Sequence, residues 1–289
     1  AIKKNIKQIN VESIEELEEI AIICKRLNRT IDICLRVNPN VDAKTHEKIS
    51  TGRSEDKFGI SDKKVFEIFK KFKSNKFVKI KGLSMHIGSQ IVLLEPFYKA
   101  FRKIKLQILK LKREGFEVSS LDLGGGVGIK YNDKNKILDI KSYAQVIDEL
   151  FSDLDLEIII EPGRYLVGSS GIILSKVIRT KSGENKDFVI IDAGMDNLIR
   201  PALYGAEHKI IPVKKKKQTN PKNYDIVGPI CETSDVFIKK LKIHRLNSDD
   251  LVVICSTGAY SSCMASQYNL RKPAKEIFIK KKKFILSNN

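Results

Sequence analysis

The chain has 289 residues, of which 42% are hydrophobic, enough to bury the core of one large domain or of two modest ones. Its formal net charge of +18 is spread along the chain. The densest basic runs are Lys214–Lys217 and Lys280–Lys283, and no stripe of basic residues alternating with aromatic residues accompanies them. Nucleic-acid binding is therefore not predicted. No apolar run is long enough to span a membrane, and five cysteines without a CxxC pair favour reduced thiols in the cytoplasm over disulfides or a zinc ribbon.

The first part of the chain alternates short apolar runs with amphipathic segments. Apolar residues recur at spacings of three and four between the runs, as helices require, and this repeated β-then-α pattern makes a parallel sheet, either open or closed as a (β/α)8 barrel. The predicted strands are Ile6–Val11, Ile31–Val37, Ile80–Met85, Val118–Leu123 and Leu156–Ile160, and the predicted helices are Ile14–Leu27, Lys63–Phe72, Glu95–Arg113 and Ile140–Leu154.

Polar residues and glycines follow the end of each predicted strand. A barrel collects functional groups from many strands at this face, whereas an open sheet concentrates them at one switch point. Five contributing strands therefore favour an incomplete barrel, three strands short of eight.

The pattern changes after about Ser170 to apolar and β-branched runs separated by turns. Helical periodicity returns only around Asp196–Tyr204 and Ser261–Tyr268. The sequence therefore predicts two domains, a partial barrel over 1–170 and a β-rich domain over 171–289. The predicted strands of the second domain are Ile172–Val177, Phe188–Ile191, Ile210–Val213, Tyr224–Val227, Val236–Ile238 and Leu251–Ile254.

Three strand ends in the predicted barrel carry residues suited to chemistry. The run Gly124–Gly128 fails the spacing of a dinucleotide or nucleotide-triphosphate loop, so it suits a single phosphate or a tight turn without ligand. His86, with Ser89 three residues on, has no second histidine at metal-ligand spacing, so no metal is predicted, and a stacking or structural role remains. Glu161 ends an apolar strand and needs a cation, either a protonated pyridine or nearby Arg164.

Two further pairs lie in the second domain. Cys231 and Glu232 combine a thiol that can donate a proton with a carboxylate that can bind an amine, although an isolated cysteine is usually a small buried hydrophobe. Arg200 and Tyr204 share one face if their segment is helical, and they would either hold a carboxylate or form a surface pair. The local sequence leaves both choices open.

Taken in order, these motifs resemble the fold-type III pyridoxal-phosphate (PLP) decarboxylases, and specifically the diaminopimelate decarboxylase family. The resemblance covers nearly the whole chain and extends to Asn197–Tyr204, Gly258–Tyr260 and Met264–Asn269. It implies decarboxylation of meso-2,6-diaminopimelate to L-lysine in a homodimer with shared active sites. The alternatives are a decarboxylase of ornithine, arginine or carboxynorspermidine, and an inactive binding or regulatory homologue.

The resemblance also implies a role for each matching residue. His86 would stack on the PLP ring and Glu161 would pair with its pyridine nitrogen, while Cys231, reaching the other subunit's site, would protonate the substrate carbon. The other residues implied to contact the cofactor are Ser89, Gly124, Gly125, Gly126, Gly163, Arg164 and Tyr260. The residues implied to contact the substrate are Arg164, Arg200, Tyr204, Glu232 and Tyr260.

One element of the family pattern is missing from the sequence. The family's Schiff-base lysine stands on the first barrel strand, whereas the five strands predicted here match the fourth to the eighth. We therefore expect a truncated form of the enzyme that lacks the Schiff-base lysine; PLP could still bind noncovalently, but transaldimination would be lost.

Overall fold

The structure is a computed structural model that describes residues 1–43, 51–52, 57–134, 136–214 and 220–287. The chain divides into two compact units, a first unit of Ala1–Ile129 with Lys136–Gly163 and a second unit of Lys130–Asn135 with Arg164–Asn289. The predicted boundary near Ser170 stays a prediction, and Lys215–Lys217 of the first lysine run lie outside the described residues.

The first unit contains a five-stranded parallel sheet in which strands lie in the order of the chain. An open doubly wound sheet reverses its strand order at a switch point, whereas a barrel adds each strand beside the last. The observed order therefore confirms the predicted partial barrel. The strands are β1 (Gln8–Val11), β2 (Ile31–Arg36), β3 (Val78–Ser84), β4 (Ser120–Asp122) and β5 (Glu157–Ile159).

Four long helices connect these strands, close to the predicted positions. The first helix begins after Ser13, whose hydroxyl accepts the Glu16 N–H at 3.1 Å, and it ends at Asn28 in the left-handed conformation. These caps explain why its predicted and observed ends agree. The helices are α1 (Ile14–Leu27), α2 (Asp62–Phe72), α3 (Leu94–Arg113) and α4 (Ile140–Phe151), and the short helix α5 (Gly163–Val167) follows β5.

The second unit is built on a six-stranded sheet, which confirms the predicted β-rich architecture. The strands are β6 (Ile173–Ser182), β7 (Asp187–Ile191), β8 (Ile210–Pro212), β9 (Lys222–Val227), β10 (Val236–Ile243) and β11 (Leu251–Ile254), with helix α6 (Arg200–Tyr204) between β7 and β8. They lie in the order β10-β9-β7-β6-β11-β8, and their pairs are antiparallel except for β7 with β9. The core of the unit includes Val177, Ile191 and Ile254.

A two-stranded hairpin near the end of the described chain is not predicted by the sequence pattern. Its strands, β12 (Ile277–Lys280) and β13 (Lys283–Leu286), are joined by Lys281 and Lys282, both with positive φ. Two consecutive residues with positive φ form the tight turn that suits the twist of a hairpin. The second lysine run is therefore a hairpin turn with its flanking strand ends.

Two classes of feature are missing from the described part of the chain. Its helices include none that is both long and apolar enough to cross a bilayer. Its His, Cys, Asp and Glu side chains form no group of three or more that could hold a metal ion.

Candidate active site

The glycine loop after β4 passes so close to other backbone segments that side chains do not fit. Gly124 and Gly126 have φ of +66° and +99°. A Cβ atom on Gly124 would lie 2.2 Å from the Met85 carbonyl oxygen, and one on Gly126 would lie 2.3 Å from the Gly88 carbonyl oxygen. Glycine is therefore required at both positions by conformation and by space.

The first two glycines donate their N–H groups within the first unit. Gly124 N–H donates to Asp122 Oδ1 at 2.8 Å, and Gly125 N–H donates to His86 Nδ1 at 3.1 Å. Among the described residues, none accepts the N–H of Gly126. Gly126 is thus the glycine of the three whose N–H is available to an anion.

His86 follows β3 and is held in a neutral form. Because its Nδ1 accepts the Gly125 N–H, that nitrogen carries no proton. Burial, followed by the charge of Arg36, lowers the pKa of His86 from 6.5 to about 4. The imidazole is therefore uncharged at neutral pH, which suits it to stacking on an aromatic ring.

Ser89 lies in a loop that is fastened to the glycine loop. The neighbouring Gln90 side chain donates to the Ile129 carbonyl at 2.7 Å and accepts the Ile129 N–H at 3.1 Å. The Ile91 N–H donates to the Gly126 carbonyl at 2.9 Å. These bonds bring the segment carrying Ser89 beside Gly126.

Glu161 and Asp122 form a pair of carboxyl groups at the ends of neighbouring strands. Asp122 is buried and accepts from Asn10 Nδ2 at 2.7 Å as well as from Gly124. Burial, together with the charge and hydrogen bond of Asp122, raises the pKa of Glu161. Asn10, Asp122 and Glu161 are among the residues that line a cavity of about 930 Å³. A cation entering beside Glu161 would relieve the repulsion between the two carboxyl groups.

Two buried arginines of the second unit surround Tyr131. The Arg200 guanidinium lies 4.2 Å from the centre of the Tyr131 ring, and Arg164 donates to the Tyr131 hydroxyl. Arg164 also lies 4.4 Å from the centre of the Tyr260 ring. The structure therefore brings together Arg164, Arg200 and Tyr260, and Tyr204 stands on the same short helix α6 as Arg200.

Cys231 and Glu232 lie in an exposed turn between β9 and β10. The Glu232 carboxylate accepts from Ser234 Oγ at 2.5 Å and from the Tyr268 hydroxyl at 2.7 Å. These two bonds lower the pKa of Glu232 and keep it charged. Within the described chain, Glu232 forms no hydrogen bond to Arg164 or Arg200.

Three residues of these clusters are not singled out by the sequence analysis. Asp122 has the plainest signal, because a carboxylate between two leucines, two residues before a glycine run, is buried and must find donors. Tyr131 and His208 give no local signal, because Tyr131 is far in sequence from both arginines and His208 is far from Tyr131 and Cys255, although it lies only eight residues after Arg200. Their role is visible only in the folded second unit, where their rings meet with centres 4.7 Å apart.

The family model described as "Pyridoxal-dependent decarboxylase, pyridoxal binding domain" matches residues 1–168. The chain therefore belongs to the pyridoxal-dependent decarboxylase family, as the motifs predict. Its relatives within the family include diaminopimelate decarboxylases. The enzyme of Neisseria meningitidis serogroup A is 43% identical over 279 residues, which cover 96% of this chain and 68% of the relative. The enzyme of Zymomonas mobilis is 40% identical over 280 residues, with 96% and 66% covered.

Solved structures of diaminopimelate decarboxylases are also similar to this chain. The diaminopimelate decarboxylase of Helicobacter pylori, crystallised with L-lysine, has a TM-score of 0.93 and 40% identity, covering 99% of this chain and 71% of that chain. The M. jannaschii enzyme, also in complex with L-lysine, has a TM-score of 0.91 and 36% identity, covering 99% and 67%. The chain thus spans about two thirds of the length of the curated relatives.

Proposed function

We propose that this chain serves the PLP-dependent decarboxylation of meso-2,6-diaminopimelate, at its D-centre, to L-lysine and CO2. The observation that carries the proposal is the glycine loop packed against a neutral His86 and beside Glu161, in a chain with diaminopimelate decarboxylase relatives at about 40% identity. The protein would act in the cytoplasm as a homodimer, with domains divided near residue 170.

The first unit offers groups that fit each part of PLP. Close backbone approach, an unused Gly126 N–H and the neighbouring Ser89 segment suit a phosphate. An uncharged His86 suits stacking on a pyridine ring, with Gly124 and Gly125 fixing its position. Glu161, whose pKa is raised beside Asp122, suits a protonated ring nitrogen.

PLP, when bound, accepts the electrons left on the substrate when CO2 departs. The chain's own residues would make this possible in three ways. Glu161 would hold a proton at the pyridine nitrogen, because a positive nitrogen beside it lowers the cost of its own ionisation. Asp122, fixed by Asn10 and Gly124, would keep the Glu161 carboxyl oriented. His86, held by Gly125, would exclude water from one face of the ring.

The second unit would bind the substrate through its arginines. Arg200 and Arg164 are buried, and within the described part of the chain the Nε atom of Arg200 has no hydrogen-bond partner. A carboxylate would supply charge and acceptors to both, with Tyr204 completing the site and Tyr260 contacting substrate and phosphate. Gly163, in the turn before Arg164, is proposed only to contact the cofactor.

Cys231 and Glu232 would serve the far end of the substrate and the product proton. The charged Glu232, oriented by Ser234 and Tyr268, suits the distal ammonium group of diaminopimelate. The exposed Cys231 thiol would deliver a proton to the carbon that loses CO2. These residues would do so in the active site of the partner protomer, in line with a shared site.

The proposal is tested with the protein that carries this chain, supplied with PLP and offered diaminopimelate, ornithine or arginine. We expect CO2 release and lysine formation from diaminopimelate alone. Arg200→Gln should raise KM for diaminopimelate by about 10-fold or more, because a charge-assisted hydrogen bond contributes ~1.5–3 kcal/mol.

The matched control is Arg179→Gln, which removes an exposed arginine on β6. It should leave KM and kcat within about twofold of the parent, since isolated surface charges contribute little. Faster CO2 release from ornithine or arginine, or an equal effect of both substitutions, would contradict the proposal.

A further inference from the structure

The environment of Arg200 is unusual for a buried arginine. Only 4% of the residue is exposed, yet among the described residues it forms no ion pair with a carboxylate. Its guanidinium instead rests on the Tyr131 ring and donates from Nη1 to His208 Nε2 at 2.7 Å. Burying a cation without a counter-charge is unfavourable, so an incoming carboxylate gains the full attraction of Arg200.

The two partners of His208 determine where its ring proton lies. The Cys255 carbonyl oxygen, 2.9 Å from Nδ1, can only accept, so Nδ1 carries the proton. The guanidinium of Arg200 can only donate, so Nε2 must be unprotonated. His208 is therefore a neutral imidazole with one donor and one acceptor, each used.

Other features of the second unit favour the same state. His208 is 1% exposed, and the Tyr131 ring meets its ring edge at a centre-to-centre distance of 4.7 Å. Burial lowers the pKa of His208 from 6.5 to about 4; the bond to Cys255 opposes this, and the charges of Arg200 and Arg164 add to it. A protonated His208 would be a third cation in this cluster and could not accept from Arg200.

We propose that His208 is a positioning residue for substrate binding, a neutral acceptor that fixes one end of the Arg200 guanidinium and directs its remaining N–H groups to the substrate carboxylate. The inference deepens the proposed function and rests on it. A neutral acceptor is needed here because an aspartate or glutamate would neutralise Arg200 and compete with the substrate for it. Histidine orients the arginine and leaves its charge available.

Three substitutions of His208 separate positioning from simple packing. Gln can accept from Arg200 through its amide oxygen and donate to Cys255 through its amide nitrogen, so His208→Gln should keep KM within about threefold of the parent. His208→Leu removes the acceptor and should raise KM by about 10-fold or more, with a smaller change in kcat. His208→Glu keeps an acceptor but pairs with Arg200, and it should also raise KM by about 10-fold or more.

The Glu variant distinguishes the roles because a purely structural residue would tolerate any acceptor that preserves the fold. A parent-like KM in His208→Glu, or a KM in His208→Gln as high as in His208→Leu, would overturn the proposal, provided that urea midpoints show each variant folded. If His208→Leu is unfolded, comparing the KM of His208→Gln with that of His208→Glu still distinguishes a positioning role from a structural one.

A second measurement does not depend on catalysis. In the ¹⁵N NMR spectrum of the parent protein at neutral pH, the His208 ring should show a protonated Nδ1 and an unprotonated Nε2. A cationic ring or the opposite tautomer would refute the positioning role. Absence of lysine formation by the parent, with the expected tautomer present, would instead refute the proposed function alone.

Discussion

Replacing Gly126 with alanine tests whether the glycine loop is a phosphate cradle. Gly126 has φ of +99°, and its added methyl group would lie 2.3 Å from the backbone oxygen of Gly88. A backbone oxygen cannot turn away as a side chain can. The segment carrying Ser89 would therefore have to move away from the loop.

The magnitude follows from two contributions. An L-residue in a left-handed conformation costs about 1–2 kcal/mol, and a methyl group forced into a filled space costs about 1–3 kcal/mol more. Gly126→Ala should therefore lower the free energy of unfolding by about 2–5 kcal/mol. Gly115→Ala is the matched control, because Gly115 also has positive φ, +78°, but its methyl group would meet no atom within 4 Å. It should cost only about 1–2 kcal/mol.

Urea unfolding gives both free energies, and ligand titration gives the functional consequence. The parent should bind PLP much more tightly than pyridoxal, which lacks the phosphate, and Gly126→Ala should reduce that preference while Gly115→Ala keeps it. Equal stability losses in the two variants would refute the steric reasoning. An unchanged preference for PLP in Gly126→Ala would refute the phosphate role of the loop.

Three further results are expected. Asp122→Asn should move the pKa of Glu161 down towards its ordinary value, measured by ¹³C NMR of the carboxyl carbon, and no movement would mean that Asp122 does not raise it. Because the folded-state pKa of His86 is lowered from 6.5 to about 4, the unfolded chain binds more protons between these values. The free energy of unfolding should therefore fall as pH drops through this window, and His86→Phe should remove part of that fall; an unchanged pH slope would count against it. Cys231→Ser should reduce kcat by about 100-fold, as loss of an acid–base group does, with KM nearly unchanged; parent-like turnover would exclude the thiol as proton donor.

The sequence predicted the bounds of a helix accurately where capping residues mark both of its ends. The helix α1 agrees with prediction to the residue because Ser13 and Asn28 cap it. The strands β6 and β10 extend beyond the predicted ends, to Ser182 and Ile243, because basic residues such as Lys181 in β6 and Lys239 and Lys240 in β10 interrupt their apolar runs. Lysine at exposed strand positions conceals a strand because the neighbouring apolar residues no longer form a run.

The candidate site was predictable to a similar degree. Gly124, His86 and Glu161 are visible because glycine, histidine and glutamate at strand ends are locally conspicuous. Tyr131 and His208 are not, since 69 residues separate Tyr131 from Arg200 and 77 separate the two rings that meet. The cluster of Tyr131, His208 and Arg200 forms only when the second unit folds, so no single stretch of sequence shows it.

The most direct test of the proposed function is to offer the protein, with PLP, the meso and LL isomers of diaminopimelate separately and to measure CO2 and lysine. The proposed function predicts L-lysine and CO2 in equal amounts from the meso isomer and neither product from the LL isomer, which has no D-centre. Equal consumption of both isomers, or CO2 without lysine, would contradict it.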